Sequence, residues 1–300
     1  MKAMILAAGL GTRLMPLTLK TPKPLVPIGN RPIIDRLIQY LKGQNIREII
    51  VSAHHHHQLV VEHLDGGRPF GINIEVRVEH EILGTGGGIR NTEDFWDSDA
   101  FIVINGDILT DVDLIKAFEE HRRNGNLVTL VLHNYKPFNQ ILIDNHMNII
   151  DIASDNHSGR LAFTGIHILE PEVLNYIPHG EFSNIIDCYR DLIRSGKPVR
   201  AFMPRGHYWR DIGTISTYVL ANKESLHGDS FLLAPDCRIH DSSGLKEWAI
   251  IGENALVEEK AEIKRSILWK DVKVRSGVKI IDSIVTSLKE VKHDLIDEIY

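Results

Sequence analysis

The sequence predicts an α/β protein in which a mostly parallel mixed sheet is sandwiched by helices, with a small β-helix-like extension at the C-terminus. Three observations lead to this prediction. Short β-branched apolar runs alternate with helical patterns through about residue 225. These runs are almost continuously apolar, as expected of strands buried on both faces. Beyond about residue 231, small apolar residues recur at loose six-residue steps among charged residues.

Five apolar runs are predicted to form strands of the sheet. They are residues 3–7, 48–53, 73–78, 101–104 and 127–132. Helices are predicted between them. Residues 32–41 place five Ile and Leu side chains on one face at helical spacing, and residues 115–122 give a second, shorter helix.

The C-terminal residues 229–300 are predicted to form a short left-handed β-helix with a tail. Val257 and Ile263 are six residues apart, as are Val274 and Ile280, and this spacing is typical of small apolar residues that turn into the axis of such a coil. The last stretch, residues 287–300, is interpreted as a short helix or a tail.

Composition and charge limit the class of protein. The 300-residue chain is 43% hydrophobic and 25% charged, as expected of a globular protein with a full core. A net charge of −6 argues against a general basic surface for nucleic acid. Cys188 and Cys237 lie in no CxxC pattern, so neither a disulfide framework nor a thiolate metal site is indicated.

The same patterns give expectations about location. No apolar run approaches the roughly 18 residues that a membrane helix needs. The short apolar run at the N-terminus is interpreted as a strand and not as a signal peptide, because polar loop chemistry follows at once. A cytoplasmic protein without a nucleic-acid or membrane partner is therefore expected.

The first predicted strand leads into a glycine-rich string, LAAGLGTRLMPLTLKTPKPLVPIGNRP. Gly9 and Gly11 lack the Cβ atoms that would keep backbone N–H groups from phosphate oxygens. Thr12 and Arg13 add polar groups, and a guanidinium can contact a phosphate with two donors. Lys23 lies between two prolines that stiffen the path presenting it. The string therefore predicts a phosphate-binding loop.

Two familiar nucleotide loops do not match this string. A P-loop would need GxxxxGK followed by Ser or Thr, and a dinucleotide loop would need a third glycine where Leu14 stands. The simplest alternative is a tight turn between a strand and a helix. A turn has no need of Arg13, or of Lys23 held between prolines.

LAAGLGTRLMPLT followed by PKPLVPIGNRP resembles the signature of the sugar-phosphate nucleotidylyltransferases, over about the first three-quarters of the chain. The resemblance implies a Rossmann-like fold of the nucleotide-diphospho-sugar transferase type, with residues 1–228 as the catalytic domain. It implies transfer of a nucleotidyl group from a nucleoside triphosphate to a sugar 1-phosphate, with pyrophosphate released. Arg13 would hold the β- and γ-phosphates, and Lys23 would reach the reacting phosphates. The loop residues implied to wrap the nucleotide are Ala8, Gly9, Gly11 and Thr12.

A second glycine-rich string, EILGTGGGIRN, is similar to the base-recognition loop of that family. Gly86 and Gly87 would let the backbone lie flat against a nucleobase edge, with Glu81 just upstream as a side-chain contact. The alternative is a flexible linker that caps the next helix.

The string FIVINGDILTD ends an apolar strand at a carboxylate, Asp107. Open α/β sheets place ligands at the carboxyl ends of their strands, and Mg²⁺ prefers carboxylate, phosphate and water oxygens. The resemblance implies that Asp107 and Asp211, the latter in YWRDIGT, together hold Mg²⁺. An aspartate after a strand is also a common turn or helix cap. Asp111 and Asp113 are expected to play that role for a helix beginning near residue 114.

The string RLAFTGIHIL resembles the sugar-facing strand of the family, which places Thr164 and Gly165 near the sugar hydroxyls. Many members then carry Glu, Lys and Asp in succession, whereas this chain reads Ile185, Ile186 and Asp187. The second lysine of the family is therefore missing here, and the sugar stays open. The residues considered as replacements are Asn184, Asp187 and Arg210.

Three other interpretations fit parts of the chain less well. Four histidines at residues 54–57 suggest a metal site, but adjacent side chains cannot all converge on one ion, so a strand-to-helix turn is preferred. A glycosyltransferase using nucleotide sugars would need a DxD-like motif, and NGDIL is not one. A catalytically silent regulatory or scaffold subunit that uses the C-terminal region for assembly would not need Arg13, Lys23, Asp107 and Asp211. A homo-oligomer formed through the C-terminal region is a separate expectation. Uridylyl, guanylyl and thymidylyl transfer all remain open.

Overall fold

The computed structural model describes residues 1–155 and 158–300. These residues form two compact units. The sheet unit comprises Met1–Leu10, Pro22–Pro24 and Ile34–Asp211, and the coil unit comprises Gly11–Thr21, Leu25–Ile33 and Ile212–Tyr300. The division after residue 228 stays a prediction. In the described part of the chain, no helix is both long and apolar enough to cross a membrane.

The elements up to Asp211 are strands and helices, with α-helices between several of the strands. The strands, in chain order, are β1 (Lys2–Leu6), β2 (Pro27–Ile28), β3 (Arg31–Pro32), β4 (Glu48–Ala53), β5 (Asn73–Val78), β6 (Phe101–Asn105), β7 (Ile108–Thr110), β8 (Val128–His133), β9 (Asn139–Ile143), β10 (Ile149–Ile152), β11 (Leu161–Leu169), β12 (Val199–Phe202) and β13 (Trp209–Asp211). The α-helices are α1 (Ile33–Gly43), α2 (His57–Leu64), α3 (Gly84–Arg90), α4 (Leu114–Arg123) and α5 (Ile185–Arg194).

A mixed sheet organises the sheet unit. Its strand order runs β10-β9-β11-β6-β1-β4-β5, and β8 and β12 continue from β11. The strands β6, β1, β4 and β5 are parallel neighbours, whereas β11 is antiparallel to β6 and β8. This arrangement confirms the predicted mostly parallel α/β class.

The predicted strands lie within one residue of the observed ones at each end, and β4 and β5 match in full. Helix α1 was predicted from Ile and Leu spacing, and its apolar side chains are indeed buried. Helix α5 was missed, although Ile185, Tyr189 and Leu192 lie in the same apolar core as buried residues of β8, β10, β11 and β12. The residues 84–90 were predicted as a loop but form α3, which is a correction.

The C-terminal part of the coil unit, from Phe231 on, consists of short parallel strands that stack on one another. They follow α6 (Ile215–Glu224) and are β14 (Phe231–Leu233), β15 (Arg238–Ile239), β16 (Gly244–Ile251), β17 (Leu256–Val257), β18 (Glu262–Leu268), β19 (Lys273–Val274), β20 (Lys279–Ile281), β21 (Ile284–Val285), β22 (Glu290–Val291) and β23 (Leu295–Ile296). Val257 pairs with Val274, and Ile263 pairs with Ile280. All four are fully buried, as the six-residue spacing predicts.

The parallel ladders confirm the β-helix-like extension. The last stretch was predicted as a short helix or a tail, but β22 and β23 continue the coil there. The physical reason is that Val291 and Leu295 enter the same apolar core as the earlier coils.

Candidate active site

The carboxyl ends of two parallel neighbours, β1 and β6, define one edge of the sheet. Leu6 pairs with Asn105, so the glycine-rich loop and the Asn105-Gly106-Asp107 turn begin side by side. The backbone N–H of Gly106 donates to the carbonyl oxygen of Leu6 at 2.8 Å. A Cβ atom at position 106 would lie only 2.7 Å from that oxygen. Glycine at 106 therefore permits the close approach that places Asp107 beside the loop.

Lys23 and Asp107 form an ion pair at this edge. Nζ of Lys23 donates to Oδ2 of Asp107 at 2.6 Å, and the two side chains are 11% and 23% exposed. Lys23 is the first residue of a single 3-10 turn, Lys23–Leu25, and lies between Pro22 and Pro24. Two residues that are 84 positions apart thus meet where the sequence predicted a metal ligand and a phosphate-binding cation.

Asp211 is brought to the same place by a separate two-stranded ribbon, β7 with β13. The strands are antiparallel, and Asp211 lies opposite Ile108, the residue that follows Asp107. Asp107 lies one residue outside this ladder, in the turn that precedes β7. The pairing therefore brings the backbone of Asp211 next to that of the residue after Asp107, and the assignment of both carboxylates to one metal stays a prediction.

The donor set fits a hard divalent cation that takes its remaining ligands from substrate and water. Two carboxylates are a usual protein contribution to a Mg²⁺ site of this kind. Among the residues that the structure describes, no group of three or more His, Cys, Asp or Glu side chains is arranged to hold a metal. Residues 54–56 form the predicted turn into α2, in which Nδ1 of His57 hydrogen-bonds to the carbonyl oxygen of His54 at 3.0 Å.

The glycine-rich loop has two kinds of glycine. Gly11 has a φ of 67°, a left-handed conformation that favours glycine. It precedes the 3-10 turn Thr12–Leu14, and Thr12 and Arg13 in that turn are exposed. At Gly9, by contrast, a Cβ atom would meet no other atom within 4 Å. Packing in the protein therefore does not explain the glycine at position 9.

The predicted base-recognition string forms helix α3, in which Gly86, Gly87 and Gly88 are buried. A Cβ atom on Gly86 would lie 2.2 Å from Oγ of Ser183, and one on Gly87 would lie 2.5 Å from the carbonyl oxygen of Glu181. The N–H of Gly86 also donates to the carbonyl oxygen of Ser183 at 2.8 Å. These glycines let α3 pack closely on the chain before α5, which is a structural reason for them. Contact with a base stays a prediction.

Just before α3, Glu81 is exposed, whereas Glu79 is buried. The sequence analysis did not single out Glu79. Oε2 of Glu79 accepts the backbone N–H of Leu83 at 3.1 Å, just before α3 begins. Burial raises the pKa of the Glu79 carboxyl. The signal in the sequence was a charged residue directly after an apolar strand.

The predicted sugar-facing residues lie in an irregular part of β11. Thr164 is 1% exposed, and its hydroxyl donates to the carbonyl oxygen of Val131 at 2.8 Å. Gly165 has a φ of 80°, and a Cβ atom there would lie 2.6 Å from Nδ2 of Asn105. Both residues thus have structural roles next to the turn that carries Asp107, and their contact with a sugar stays a prediction.

The three candidates to replace the missing lysine have other surroundings. Oδ1 of Asn184 accepts the backbone N–H of Ile186 at 3.0 Å and caps α5. Asp187 is bonded to Nη1 of Arg190 at 2.8 Å. Arg210 precedes Asp211 on β13, so its side chain points to the opposite face of that strand. These surroundings do not assign any of the three described residues to the role of the missing lysine.

Of the two aspartates expected to cap α4, one does so. Oδ1 of Asp113 accepts the backbone N–H of Lys116 at 2.9 Å, as predicted. The prediction for Asp111 is wrong, because its Oδ1 accepts the backbone N–H of Tyr208 at 2.6 Å. Asp111 is one residue too far from the helix start and faces the chain that leads into β13.

An aromatic cluster that the sequence analysis missed lies beside Asp211. The ring of Trp209 is 4.5 Å from that of His133 and 5.2 Å from that of Tyr135, and His207 is 5.5 Å from His133. Nε1 of Trp209 donates to the carbonyl oxygen of Thr164 at 2.8 Å. Burial, with a smaller effect of nearby His207, lowers the pKa of His133 to about 4.

Comparison with known proteins places the chain in a family. The family model described as nucleotidyl transferase matches residues 2–228. A UTP–glucose-1-phosphate uridylyltransferase of Synechocystis sp. is 27% identical, over 95% of this chain and 87% of that protein. A mannose-1-phosphate guanylyltransferase of Mycobacterium tuberculosis is 27% identical, over 92% and 81%.

A solved structure has a similar fold. HddC from Yersinia pseudotuberculosis, complexed with GMP-PN, aligns with a TM-score of 0.64 and 27% identity, over 74% of this chain and 98% of that one. The match extends the sequence similarity to the fold. The chain therefore belongs to the nucleotidyl transferase family, and its resemblance to the sugar-phosphate nucleotidylyltransferases is confirmed.

Proposed function

We propose that this protein transfers a nucleotidyl group from a nucleoside triphosphate to a sugar 1-phosphate and releases pyrophosphate. The observation that carries the proposal is the meeting of Lys23, Asp107 and the end of the ribbon that bears Asp211 at one edge of the sheet. The names of the relatives support it, because they are a uridylyltransferase and a guanylyltransferase of sugar 1-phosphates.

The triphosphate is proposed to bind at the glycine-rich loop. The glycine at position 9 supports this, since neither packing nor a left-handed backbone explains it inside the protein. Ala8, Gly11 and Thr12 would complete the loop around the nucleotide, and Arg13 would hold the β- and γ-phosphates. Glu81, Gly86 and Gly87 are proposed to lie near the base.

Asp107 and Asp211 would hold a divalent cation, for which Mg²⁺ is the proposed identity. When bound, such an ion would neutralise charge on the phosphates of the substrate. The carboxylate oxygens of this pair are the hard ligands that Mg²⁺ prefers.

The proposed reaction does not need a general base. An oxygen of the sugar phosphate attacks the α-phosphorus, and the bond from that phosphorus to the pyrophosphate oxygen breaks. The attacking phosphate is already an anion, so no side chain needs to remove a proton from it. The Lys23 ammonium is proposed to neutralise charge on the reacting phosphates, and catalysis then depends on positioning and electrostatic stabilisation.

The acceptor is proposed to bind on the side of Asp211. The aromatic rings of Trp209 and Tyr135 offer apolar faces there, with Thr164, Gly165 and Asp187 as the predicted sugar contacts. The sugar and the base remain to be identified. A cytoplasmic location and a homo-oligomer formed through the C-terminal coil are further predictions.

The test is a matrix of UTP, GTP and dTTP against glucose and mannose 1-phosphates with Mg²⁺, in which pyrophosphate release is measured. We expect release only when a triphosphate and a sugar phosphate are both present. Lys23→Ala should abolish it, whereas Lys197→Ala, which removes a surface pair to Glu172 at 3.2 Å, should not. A silent scaffold would release none with any pair. Equal rates for wild type and Lys23→Ala would refute the proposed site.

A further inference from the structure

We propose that Asp111 is a positioning residue that holds Asp211 beside Asp107 and thereby sets the affinity of this edge for a divalent cation. The inference rests on the proposed function, which assigns Asp107 and Asp211 to a metal. Asp111 acts at one remove, because its carboxylate binds the backbone of Tyr208. Asp111 therefore acts indirectly: it positions β13, the strand that carries Asp211.

The ribbon that carries Asp211 is short. β7 and β13 have three residues each and form a sheet of their own. A two-stranded ribbon is marginally stable by itself. A slip of one residue in its register would turn the side chain of Asp211 to the opposite face. The place of Asp211 therefore depends on whatever fixes this register.

Thr110 and Asp111 hydrogen-bond to the backbone of Tyr208, the residue just before β13. The backbone N–H of Tyr208 donates to Oδ1 of Asp111 at 2.6 Å. The carbonyl oxygen of Tyr208 accepts from Oγ1 of Thr110 at 3.0 Å and from the N–H of Asp111 at 3.3 Å. Both polar backbone groups of Tyr208 are thus held, which extends the three-residue ladder and pins its register.

The segment from Asp111 to Asp113 is itself held in place by hydrogen bonds. Val112 is fully buried, and its carbonyl oxygen accepts the hydroxyl of Tyr40 at 2.5 Å. Asp113 is fixed as the cap of α4 through the N–H of Lys116. Asp111 therefore lies on a short stretch that is held by an α1 side chain on one hand and by the start of α4 on the other.

The ribbon has a second anchor, the indole of Trp209, which donates to the carbonyl oxygen of Thr164 at 2.8 Å. Loss of the Asp111 contact should therefore loosen the ribbon and not detach it. Residues that orient metal ligands typically contribute 10–100-fold to metal affinity. With the Trp209 anchor intact, an effect of about tenfold is expected for Asp111.

The experiment titrates the full chain with Mn²⁺ alone and follows the free-ion EPR signal. Asp111→Ala should weaken Mn²⁺ binding about tenfold. Asp111→Asn keeps an oxygen that can accept the N–H of Tyr208, so it should bind close to wild type although it lacks the charge. Asp113→Ala removes a negative charge two residues away and a helix cap, so it should lower the melting temperature and leave Mn²⁺ affinity unchanged.

A kinetic readout separates positioning from general damage. Asp111→Ala should raise the Mg²⁺ concentration needed for half-maximal pyrophosphate release, while the rate at saturating Mg²⁺ stays near wild type. Circular dichroism melting curves of the same preparations report the folded state. A purely structural role would lower the melting temperature without this shift in Mg²⁺ dependence.

The outcomes distinguish this inference from the proposed function. Mn²⁺ affinity of Asp111→Ala equal to that of wild type would overturn the positioning role and leave the metal assignment intact. Equal weakening in Asp111→Ala and Asp111→Asn would also overturn it, because charge and not the hydrogen bond would then be responsible. If Asp107→Asn and Asp211→Asn bind Mn²⁺ as wild type does, or wild type binds none, the metal assignment and the positioning role both fail.

Discussion

Replacement of Lys23 by methionine should have opposite effects on metal binding and on turnover. In the structure, the Lys23 ammonium donates to Oδ2 of Asp107 at 2.6 Å, so it occupies one of the oxygens assigned to the metal. A cation that binds Oδ2 of Asp107 must displace this contact. Methionine has nearly the same length and no charge, and it therefore removes the competitor with little change in packing.

The size of the effect follows from the burial of the pair. Fully exposed ion pairs contribute about 0–1 kcal/mol, and hydrogen bonds to charged groups about 1.5–3 kcal/mol. The pair is 11% and 23% exposed, which favours a value between these, about 1.4 kcal/mol. This corresponds to roughly tenfold tighter Mn²⁺ binding by Lys23→Met in the absence of substrates. Turnover should fall about 10²–10³-fold, as for loss of one preorganised group that stabilises the transition state.

Both quantities are measured on the same preparations, by EPR titration with Mn²⁺ and by pyrophosphate release. Lys197→Met is the matched control, because it removes a lysine bound to Glu172 at 3.2 Å on the exposed surface. It should change neither quantity. Weaker Mn²⁺ binding by Lys23→Met, or turnover equal to wild type, would refute the reasoning.

Two further predictions concern the loop and the pH dependence of stability. Gly9→Ala should raise KM for the triphosphate without changing the free energy of unfolding, whereas Gly11→Ala, at a φ of 67°, should lower that free energy by about 1 kcal/mol. Burial lowers the pKa of His121 to about 4. Its unfolded pKa is higher, so its contribution, on the order of 3 kcal/mol, is present above about pH 6.5 and lost as the pH falls towards 4.

Denaturant unfolding and steady-state kinetics check the glycine variants, and an unchanged KM for Gly9→Ala would count against the loop as the triphosphate site. Unfolding of wild type and His121→Gln between pH 7 and pH 4 checks the histidine. The variant should show the shallower pH dependence. Equal slopes would mean that His121 does not stay neutral in the folded protein.

The fold was largely predictable because periodicity and burial agree in most elements. The strand β4 was located to the residue, since an apolar run bounded by polar residues has few alternatives in a parallel sheet. The edge strand β5 also matched in full, and its sequence alternates polar and apolar residues. Helix α3 could not be predicted from propensity, because glycine is a poor helix former. It forms because Gly86 and Gly87 allow close packing on the chain near Ser183, about a hundred residues away.

The candidate site was predictable as residue types but not as contacts. Lys23 and Asp107 were each singled out from their own motifs, but nothing local indicates that they meet across 84 residues. Asp111 shows the opposite case. Its position before α4 predicted a helix cap, and a partner 97 residues away took its carboxylate instead. Local patterns report local competition for hydrogen bonds, and tertiary partners decide the outcome.

The most direct test of the central claim is phosphorus NMR of the reaction with a nucleoside triphosphate, a sugar 1-phosphate and Mg²⁺. Transfer at the edge formed by Lys23, Asp107 and Asp211 predicts that a nucleoside diphosphate sugar and pyrophosphate appear in equal amounts. The account also predicts that Asp107→Asn and Asp211→Asn show neither the signal of the sugar nucleotide nor that of pyrophosphate. Release of inorganic phosphate alone, product from the triphosphate without a sugar phosphate, or wild-type signals in both variants would contradict the account.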